Sequence, residues 1–411
     1  MVHLRRRGIG LVGGAVLLFL AGTNIQSGWL FVLSSLLLGA ALGGALVPAL
    51  MVRGLSVERD GPDEAFVGDG VPVSLAVTNL TGGTKLSVTV RDPHIAPASV
   101  FFPKIAGRLT VVARSERVAT RRGVTEAGAV TVSSSAPFGV AEARRRVGCP
   151  GRTVIFPRIV PLRHVPFVDP GMTPGSGVAP AGSRGEGTEY AGVREYRRGD
   201  SMRHVHWPAT ARHGSLVVRE MERERPGGIA VLVDTWGDAG AEDTVLDLCC
   251  TVAGSVALAA LAEGHDVEMS AAREGGVETV ARAGRSQTLR WLAGVTASGR
   301  PFPHVVQDVL ARPSDASALL LVLPTWRPNT PAAMASALRS LRALPGGAMR
   351  VTAAILDVLE VRASDGHPAP ALTGAQTQDL DAALRSAGVD VRRIGSFEDV
   401  ASLEGAAGGR G

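Results

Sequence analysis

The sequence predicts an α/β plus all-β chain: an N-terminal transmembrane helical hairpin, a β-sandwich domain, then a doubly wound parallel sheet. Three observations carry this. Two apolar runs follow one another near the start, short alternating strands punctuated by turn residues fill positions 55–157, and strands alternate with helices from about 226. The boundaries are 1–53 for the helices, 54–160 for the sandwich, 161–225 for a linker and motif, 226–404 for the α/β domain, and 405–411 for a tail expected to be disordered. With 45% hydrophobic residues over 411 positions, the chain has ample material for its cores.

Gly8 to Gly22 is apolar, Thr23, Asn24, Gln26 and Ser27 form a polar break, and a second apolar run goes from Trp29 to Val52. At about 1.5 Å per residue the second run crosses a hydrocarbon core of about 30 Å, and the first does so by extending to Ile25. Neither run carries an acid or a base, which argues against buried helices of a soluble protein. A cleaved signal peptide is the alternative for the first run, but no small-x-small site follows it and a second span comes at once. Of the formal net charge of +5, four charges are Arg5, Arg6, Arg7 and Arg53, with no acid among the first 53 residues. The positive-inside rule places these arginines in the cytoplasm, and with them residues 54–411 of a multi-pass cell-membrane protein. If the first run is cleaved, the second acts as a stop-transfer helix and the body stays on the same side. The remainder is near neutral, so no nucleic-acid partner is expected.

The three cysteines, Cys149, Cys249 and Cys250, form no disulfide framework and fit a reducing compartment. Lys is confined to Lys85 and Lys104, a bias that makes no single Arg informative. In the middle, "VPVSLAVTNLTGG", "GRLTVVARS", "GAVTVSSSAPFGV" and "GRTVIFPRIV" alternate apolar and polar residues between turns, as in an antiparallel β-sandwich of immunoglobulin-like type. Residues 162–188 are rich in Pro and Gly and read as a loop or linker.

"GGIAVLVDTW" is an apolar run ending near Asp234, as a strand buried on both faces requires. Helix and strand then alternate through "AEDTVLDLCCTVAGSVALAALAEG", "HDVEMSAA", "SQTLRWLAGV", "ASALLLVLP", "PAAMASALRSLRAL", "MRVTAAILDV", "TQDLDAALRSAG" and "VDVRRIG". Ligands in such sheets bind beyond the carboxyl ends of the strands, here near Asp234, Pro324 and Asp357. The arrangement resembles the von Willebrand factor A-like fold, which implies a metal held by Asp-x-Ser-x-Ser after the first strand. Asp234 is kept, Trp236 and Asp238 stand at the two Ser positions, and "LPTWR" offers Thr325 without an acid. Trp supplies no ligand oxygen to Mg²⁺, so no cofactor is expected, and Asp234 is a weak metal candidate whose plainer role is capping or bonding backbone amides.

The stretch "EYAGVREYRRGDSMRHVHWPATARHGSLVVRE", Glu189 to Glu220, concentrates the polar chemistry of the chain. Gly199 and Asp200 read as a turn, and Arg194, Glu195, Arg197, Arg198 and Asp200 alternate in sign as in an ion-pair network. His204 and His206 would share a strand face, where Asp200 or Glu189 could complete a metal site, or His206 could act as a general acid. The plainer reading is a polar strand face, with Trp207 anchored against an apolar neighbour. Cys149 precedes Pro150 with no nearby His and is a poor nucleophile. No phosphate loop, nucleotide fingerprint or zinc-spaced cysteine set appears.

This stretch resembles the bacterial family called domain of unknown function 58. Gly187, Glu189, Tyr190, Arg194, Tyr196, Gly199, Asp200, Arg203, Trp207, Ala211 and Arg212 carry the resemblance, with "APFG" at Ala136 to Gly139 and "VIFPRI" at Val154 to Ile159 upstream. Pro208, where relatives place Lys, and Ala136, where they place Asp, depart from it. The resemblance implies a membrane-anchored protein encoded beside a MoxR-type AAA+ ATPase and a transglutaminase-like membrane protein, with no established reaction. A non-enzymatic assembly or adaptor role is the first expectation, the motif being structural or partner-binding. A metal-dependent hydrolase using Asp200, His204 and His206 is the alternative. Binding of anionic lipid by Arg53 and the Arg run at 144–146 is compatible with either.

Overall fold

The computed structural model describes residues 2–4, 6–165, 184–196, 205–222, 228–237, 243–312, 314, 316–324, 333–334, 336–337, 350–356, 374–395 and 399–404. The chain divides into two compact units, Met1–Arg158 and Ile159–Gly411. Gly199, Asp200, Arg203 and His204 of the motif lie outside the described residues, as do Asp238, Thr325, Asp357 and the tail from 405.

The first unit opens with a short strand, β1 (Val2–Leu4), followed by two helices, α1 (Arg6–Ile25) and α2 (Gly28–Met51). Both helices are long and apolar enough to cross a bilayer, and only 17% of each apolar window is buried. The pair is held by small residues and one polar tie. The Ser34 hydroxyl donates to the Ala15 carbonyl at 2.8 Å, and Phe19 meets Phe31 edge-on at 5.5 Å. Their outward side chains, Leu17, Leu36 and Leu46 among them, are exposed as lipid-facing residues are.

Eight strands follow: β2 (Leu55–Asp60), β3 (Glu64–Phe66), β4 (Gly70–Asn79), β5 (Lys85–Asp92), β6 (Ala98–Ile105), β7 (Thr110–Val118), β8 (Gly123–Ser134) and β9 (Ala141–Phe156). They form two sheets, β2-β4-β7 and β1-β9-β8-β5-β6, with β3 also on β9. Alternate residues of both sheets share one core, in which Val57, Leu75 and Val77 meet Val88, Val90 and Val132. The expected sandwich is present with two differences. β3 pairs with β9 in parallel, and β1, from before the hairpin, adds an antiparallel strand to the other end of β9. Together these two strands cover parts of an edge that would otherwise expose backbone donors and acceptors.

The helices join this body without a linker. Only Val52 to Gly54 separate α2 from β2, and Gly54 takes the left-handed φ of +63° that the turn requires. The Lys85 ammonium donates to the Leu50 carbonyl at 2.7 Å, satisfying one of the last acceptors of α2, and burial lowers the Lys85 pKa. Higher up, Gly44 is buried against Val140, where an added Cβ would come within 2.8 Å of the valine.

Inside the sandwich sits a charged clamp. Asp92 of β5 takes a bidentate pair from Arg59 of β2, at 2.6 and 3.0 Å, and a second guanidinium, Arg117 of β7, at 2.9 Å. All three side chains are at most 3% exposed. Arg59 also donates to the Cys149 carbonyl and Arg117 to the His94 carbonyl, while His94 Nε2 lies 3.0 Å from the Thr153 hydroxyl. Each arginine thereby ties one sheet to the other. Burial raises the Asp92 pKa, but hydrogen bonds from Arg59 and the His94 amide, with both arginine charges, outweigh it and hold the carboxyl below its ordinary value.

The second unit begins with a segment whose Val160 amide donates to Ser255 and whose Val165 amide donates to Glu263. Next come β10 (Arg184–Glu195), which starts inside the Pro- and Gly-rich stretch, α3 (Trp207–His213) and β11 (Val217–Glu222). The α/β sheet is built from β12 (Gly228–Val233), β13 (Val267–Arg273), β14 (Gly276–Val280), β15 (Ala316–Pro324), β16 (Arg350–Leu356) and β17 (Asp390–Ile394), in the order β14-β13-β12-β15-β16-β17. All neighbours are parallel except β14, which pairs antiparallel with β13. The helices are α4 (Asp243–Ala262), α5 (Arg285–Ala293), α6 (Phe302–Leu310) and α7 (Gly374–Ser386).

Both faces of this sheet are covered, as its near-continuous apolar strands demand. Ile229, Val231 and Val233 pack with α4 and α5, whereas Ala230 and Leu232 pack with α6 and α7. The α4 helix is itself apolar enough for a membrane, but 83% of its window is buried in this fold. The expected strands and helices are present where described, and β14 and α6 are additional. Of the helix expected over 331–344, residues 333–334 and 336–337 are described and helical, with Met334 and Ala337 buried.

Removing one partner of the clamp strands two buried guanidinium groups. Asp92→Ala should destabilise the sandwich by about 3–5 kcal/mol and raise the alkylation rate of buried Cys149 by about two to four orders of magnitude, read by mass spectrometry. Acidification should loosen the same domain in two stages. The His94 pKa is lowered, first by burial and then by the Arg59 charge, so its neutral form favours folding. That contribution is whole above the ordinary value of 6.5 and is lost as pH falls toward the folded pKa. The Asp92 contribution, present above its ordinary 3.8, is lost as pH falls through its own depressed value. Labelling of Cys149 by a dithiodipyridine, which reacts with thiols even in acid, should show both stages when followed against pH, and His94→Gln should abolish only the first.

Candidate functional site

The motif folds as a two-stranded antiparallel ribbon with a helix carried between its strands. β10 and β11 pair from Glu195↔Val217 through Glu189↔Glu222, with shifts that break the ladder around Ala191. Gly187, Glu189, Tyr190 and Arg194 lie on β10, and the Tyr196 amide donates to the Leu216 carbonyl at 2.8 Å. Trp207, Ala211 and Arg212 lie on α3.

The α3 helix is fixed at both ends. The His206 ring accepts the Ala209 amide through Nδ1 at 3.0 Å, serving as the N-cap, with Pro208 in the first turn. Gly214 closes the helix with φ +71°. Thr210 ties the middle down, its hydroxyl accepting the Val217 amide at 3.0 Å.

This arrangement gives His206 a role the sequence did not suggest: it caps α3 directly after an isolated antiparallel bridge between Val205 and Val218, while His204, its expected partner on a strand face, lies outside the described residues. One expectation is corrected. Trp207 is not anchored in an apolar pocket, for its side chain is 63% exposed. With 3.6 residues per turn, His206, Ala209 and Thr210 face the ribbon, which turns Trp207, Pro208, Ala211 and Arg212 outward. The result is an exposed stripe of one aromatic ring, two small apolar residues and one cation.

At the carboxyl ends of the parallel strands, the order reverses between β12 and β15, the usual position of a ligand crevice. Asp234 is 6% exposed there, and its Oδ1 accepts the Trp236 amide at 2.8 Å. The Thr235 hydroxyl donates to the Ala272 carbonyl at 2.9 Å and lies 3.1 Å from the Ser298 hydroxyl. The Ser298 amide returns to the Thr235 carbonyl. These oxygens join the ends of β12 and β13 to the 298 loop, and Trp236, at a Ser position of the metal pattern, brings none. The described residues therefore do not fit the Mg²⁺ site of that pattern. Among them no group of three His, Cys, Asp or Glu residues could hold a metal ion.

Beside this knot lies an open cleft of about 410 Å³ lined by Arg273, Glu274, Gly276, Ser298 and Arg300. Its two arginines pair with Glu278 and Asp308, and Arg273 also stacks over Trp291 at 5.8 Å. Both arginine charges of the cleft are thus met by carboxylates, and Glu274 adds a further acid to the lining. The three cysteines are buried free thiols, and burial raises the Cys149 pKa, which suits a packing residue better than a nucleophile.

Residues 192–330 match the family model described as Protein of unknown function DUF58. The DUF58 match starts within β10 and runs past β15, so it takes in Arg194, Tyr196, Trp207, Ala211 and Arg212, while Gly187, Glu189 and Tyr190 precede it. No curated protein matches the chain. Among solved structures, the CARDB domain of the PF1109 protein from Pyrococcus furiosus is 18% identical, covering 23% of this chain and 91% of its own, with a TM-score of 0.17. A GH20 exo β-N-acetylglucosaminidase from Vibrio harveyi is 8% identical, covering 83% of this chain and 57% of its own, with a TM-score of 0.18. Similarity at that level carries no argument about fold or activity.

The cap can be tested directly. His206→Ala should cost about 1 kcal/mol of α3 stability and speed amide exchange at Ala209 and Thr210 by about fivefold, whereas His206→Asn should restore protection.

Proposed function

We propose that this chain is a non-enzymatic, membrane-anchored assembly or adaptor protein whose body lies in the cytoplasm. Its partner in this reading is a MoxR-type AAA+ ATPase, with a transglutaminase-like membrane protein as a further member of the same assembly. The observation that carries the reading is the outward stripe of α3. A short helix capped at both ends holds Trp207 and Arg212 in solvent, and Trp and Arg are the residue types that most often dominate protein interfaces. A largely exposed indole on a fixed element costs solubility unless something covers it.

The orientation is supported by Arg5 to Arg7 and Arg53 flanking the two apolar helices, and by the pairing of β1 with β9, which suits retention of the segment before α1. The von Willebrand factor A-like reading of the α/β domain is supported by the strand-order reversal at β12 and β15, with a carboxylate just beyond β12. In this reading the carboxyl-end face, together with the motif segment, docks the ATPase.

Pull-down from detergent extract should recover the ATPase with the full chain. Trp207→Ala with Arg212→Glu should weaken recovery by about 30-fold or more, corresponding to about 2 kcal/mol for an interface anchor. Removal of residues 226–411 should abolish it. Recovery that survives both changes would overturn the proposal.

A further inference from the structure

The end of the sandwich reached by α2 has its own surface chemistry. β2, β5, β7 and β9 begin at this end and β4, β6 and β8 finish there, as their registers require. The loops and strand ends here expose Leu80 (65%), Leu86 (43%), Leu109 (57%) and Phe138 (59%). Arg53, Lys104 and Arg108 are exposed among them. Residues 80–86, 104–110 and 134–140 hold no Asp or Glu. The opposite end carries exposed Asp63, Glu64 and Asp69.

Depth is set by α2. Val140 touches Gly44, seven residues before the helix ends at Met51. At 1.5 Å per residue the turn holding Phe138 therefore reaches about 10 Å back along α2. Over the same stretch Leu46 and Leu50 are exposed. If α2 is in lipid at that level, Phe138 stands beside the bilayer surface.

We propose that this end of the sandwich is a lipid-binding surface seated on the bilayer that holds α1 and α2. It rests on the membrane-anchored reading above. Leu80, Leu86, Leu109 and Phe138 enter the interfacial layer, and Arg53, Lys104 and Arg108 meet the headgroups of anionic lipid. Apolar groups with a basic rim and no acid in these three segments are the composition that favours such a surface over a protein partner, and Glu142 at the start of β9 is paired with Arg144. Lys104 and Arg108 can lay their aliphatic stems along the apolar groups and keep their charges among the phosphates.

The test uses the full chain reconstituted in phosphatidylcholine vesicles, with a polarity-sensitive fluorophore on a new thiol at one of three places: Leu36→Cys on α2, Phe138→Cys, or Thr120→Cys at the far end. The native cysteines are buried. A nitroxide near the lipid headgroup should quench the label at 138 and leave that at 120 untouched. With the nitroxide carried on phosphatidylglycerol, quenching at 138 should rise, each engaged base enriching anionic lipid by up to about fivefold. Lys104→Gln with Arg108→Gln should remove most of that rise, leaving the share due to Arg53. A nitroxide deep in the acyl chains should quench the label at 36. If it does so while 138 is quenched no more than 120, the docking surface is wrong and the membrane anchor stands. If 36 is also unquenched, the anchor itself is wrong, and this surface falls with it. Quenching at 138 that is indifferent to phosphatidylglycerol overturns the assignment to anionic lipid.

Discussion

The first unit is organised by the junction at which an apolar helix passes into a β-strand within three residues. A helix in a low-dielectric medium must satisfy its own backbone, and its last carbonyls need a donor from elsewhere. Here the donor is Lys85, brought to Leu50 from the first residue of β5. That bond, the turn at Gly54 and the contact of Gly44 with Val140 allow the sandwich little freedom to tilt against α2. β1 adds a tie from the other flank of the hairpin, since the residues before α1 pair with the start of β9. The body is held at several points, where a flexible tether would hold it at one.

The clamp at Asp92 solves a different problem inside the same unit. Two sheets that pack through Val, Leu and Ile alone can slide by a residue pair at small cost, because one branched side chain fits much like another. A carboxylate gripped by guanidinium groups from two strands of the opposing sheet has one acceptable alignment. Desolvating three charges offsets much of their attraction, so the clamp contributes more to uniqueness than to net stability. Two positive groups face one negative group, and Arg117 Nε and Nη2 with His94 Nδ1 have no hydrogen-bond partner among the described residues. His94 is therefore under pressure to stay neutral.

Patterns of period 2 and 3.6 carried most of the architecture. The apolar runs, the alternating middle and the strand-helix alternation after 226 depend on which faces meet water, and that is a local property of the chain. What was missed depended on partners distant in sequence. β14 is a short alternating stretch after a Gly-rich turn, recognisable only once β13 exists to pair with it. β1 has three residues and no signal without β9. In the motif, the polar residues were legible and their roles were not. His206 read as a strand residue from its two-residue spacing to His204, and its use as a cap follows from Pro208 and Gly214 bounding a seven-residue helix. Trp207 was expected against an apolar neighbour by its residue type alone. The clamp had a signal that could have been read. Arg59 follows Leu55 and Val57 at inward parity, and Asp92 follows Val88 and Val90, so each is a charge where the pattern demands an aliphatic side chain.

One contact bears on which residues can be exchanged within α2, a helix apolar enough to cross a membrane. Along most of such a segment, any aliphatic residue serves about equally, because hydrocarbon chains reshape themselves around whatever they meet. Position 44 is different. A single methyl group there would collide with the branched carbons of Val140, which belongs to a strand-joining turn that cannot flow aside. Glycine at this point is selected by the contour of a folded domain, and alanine, ordinarily the mildest replacement in a helix, would act as a wedge between anchor and body.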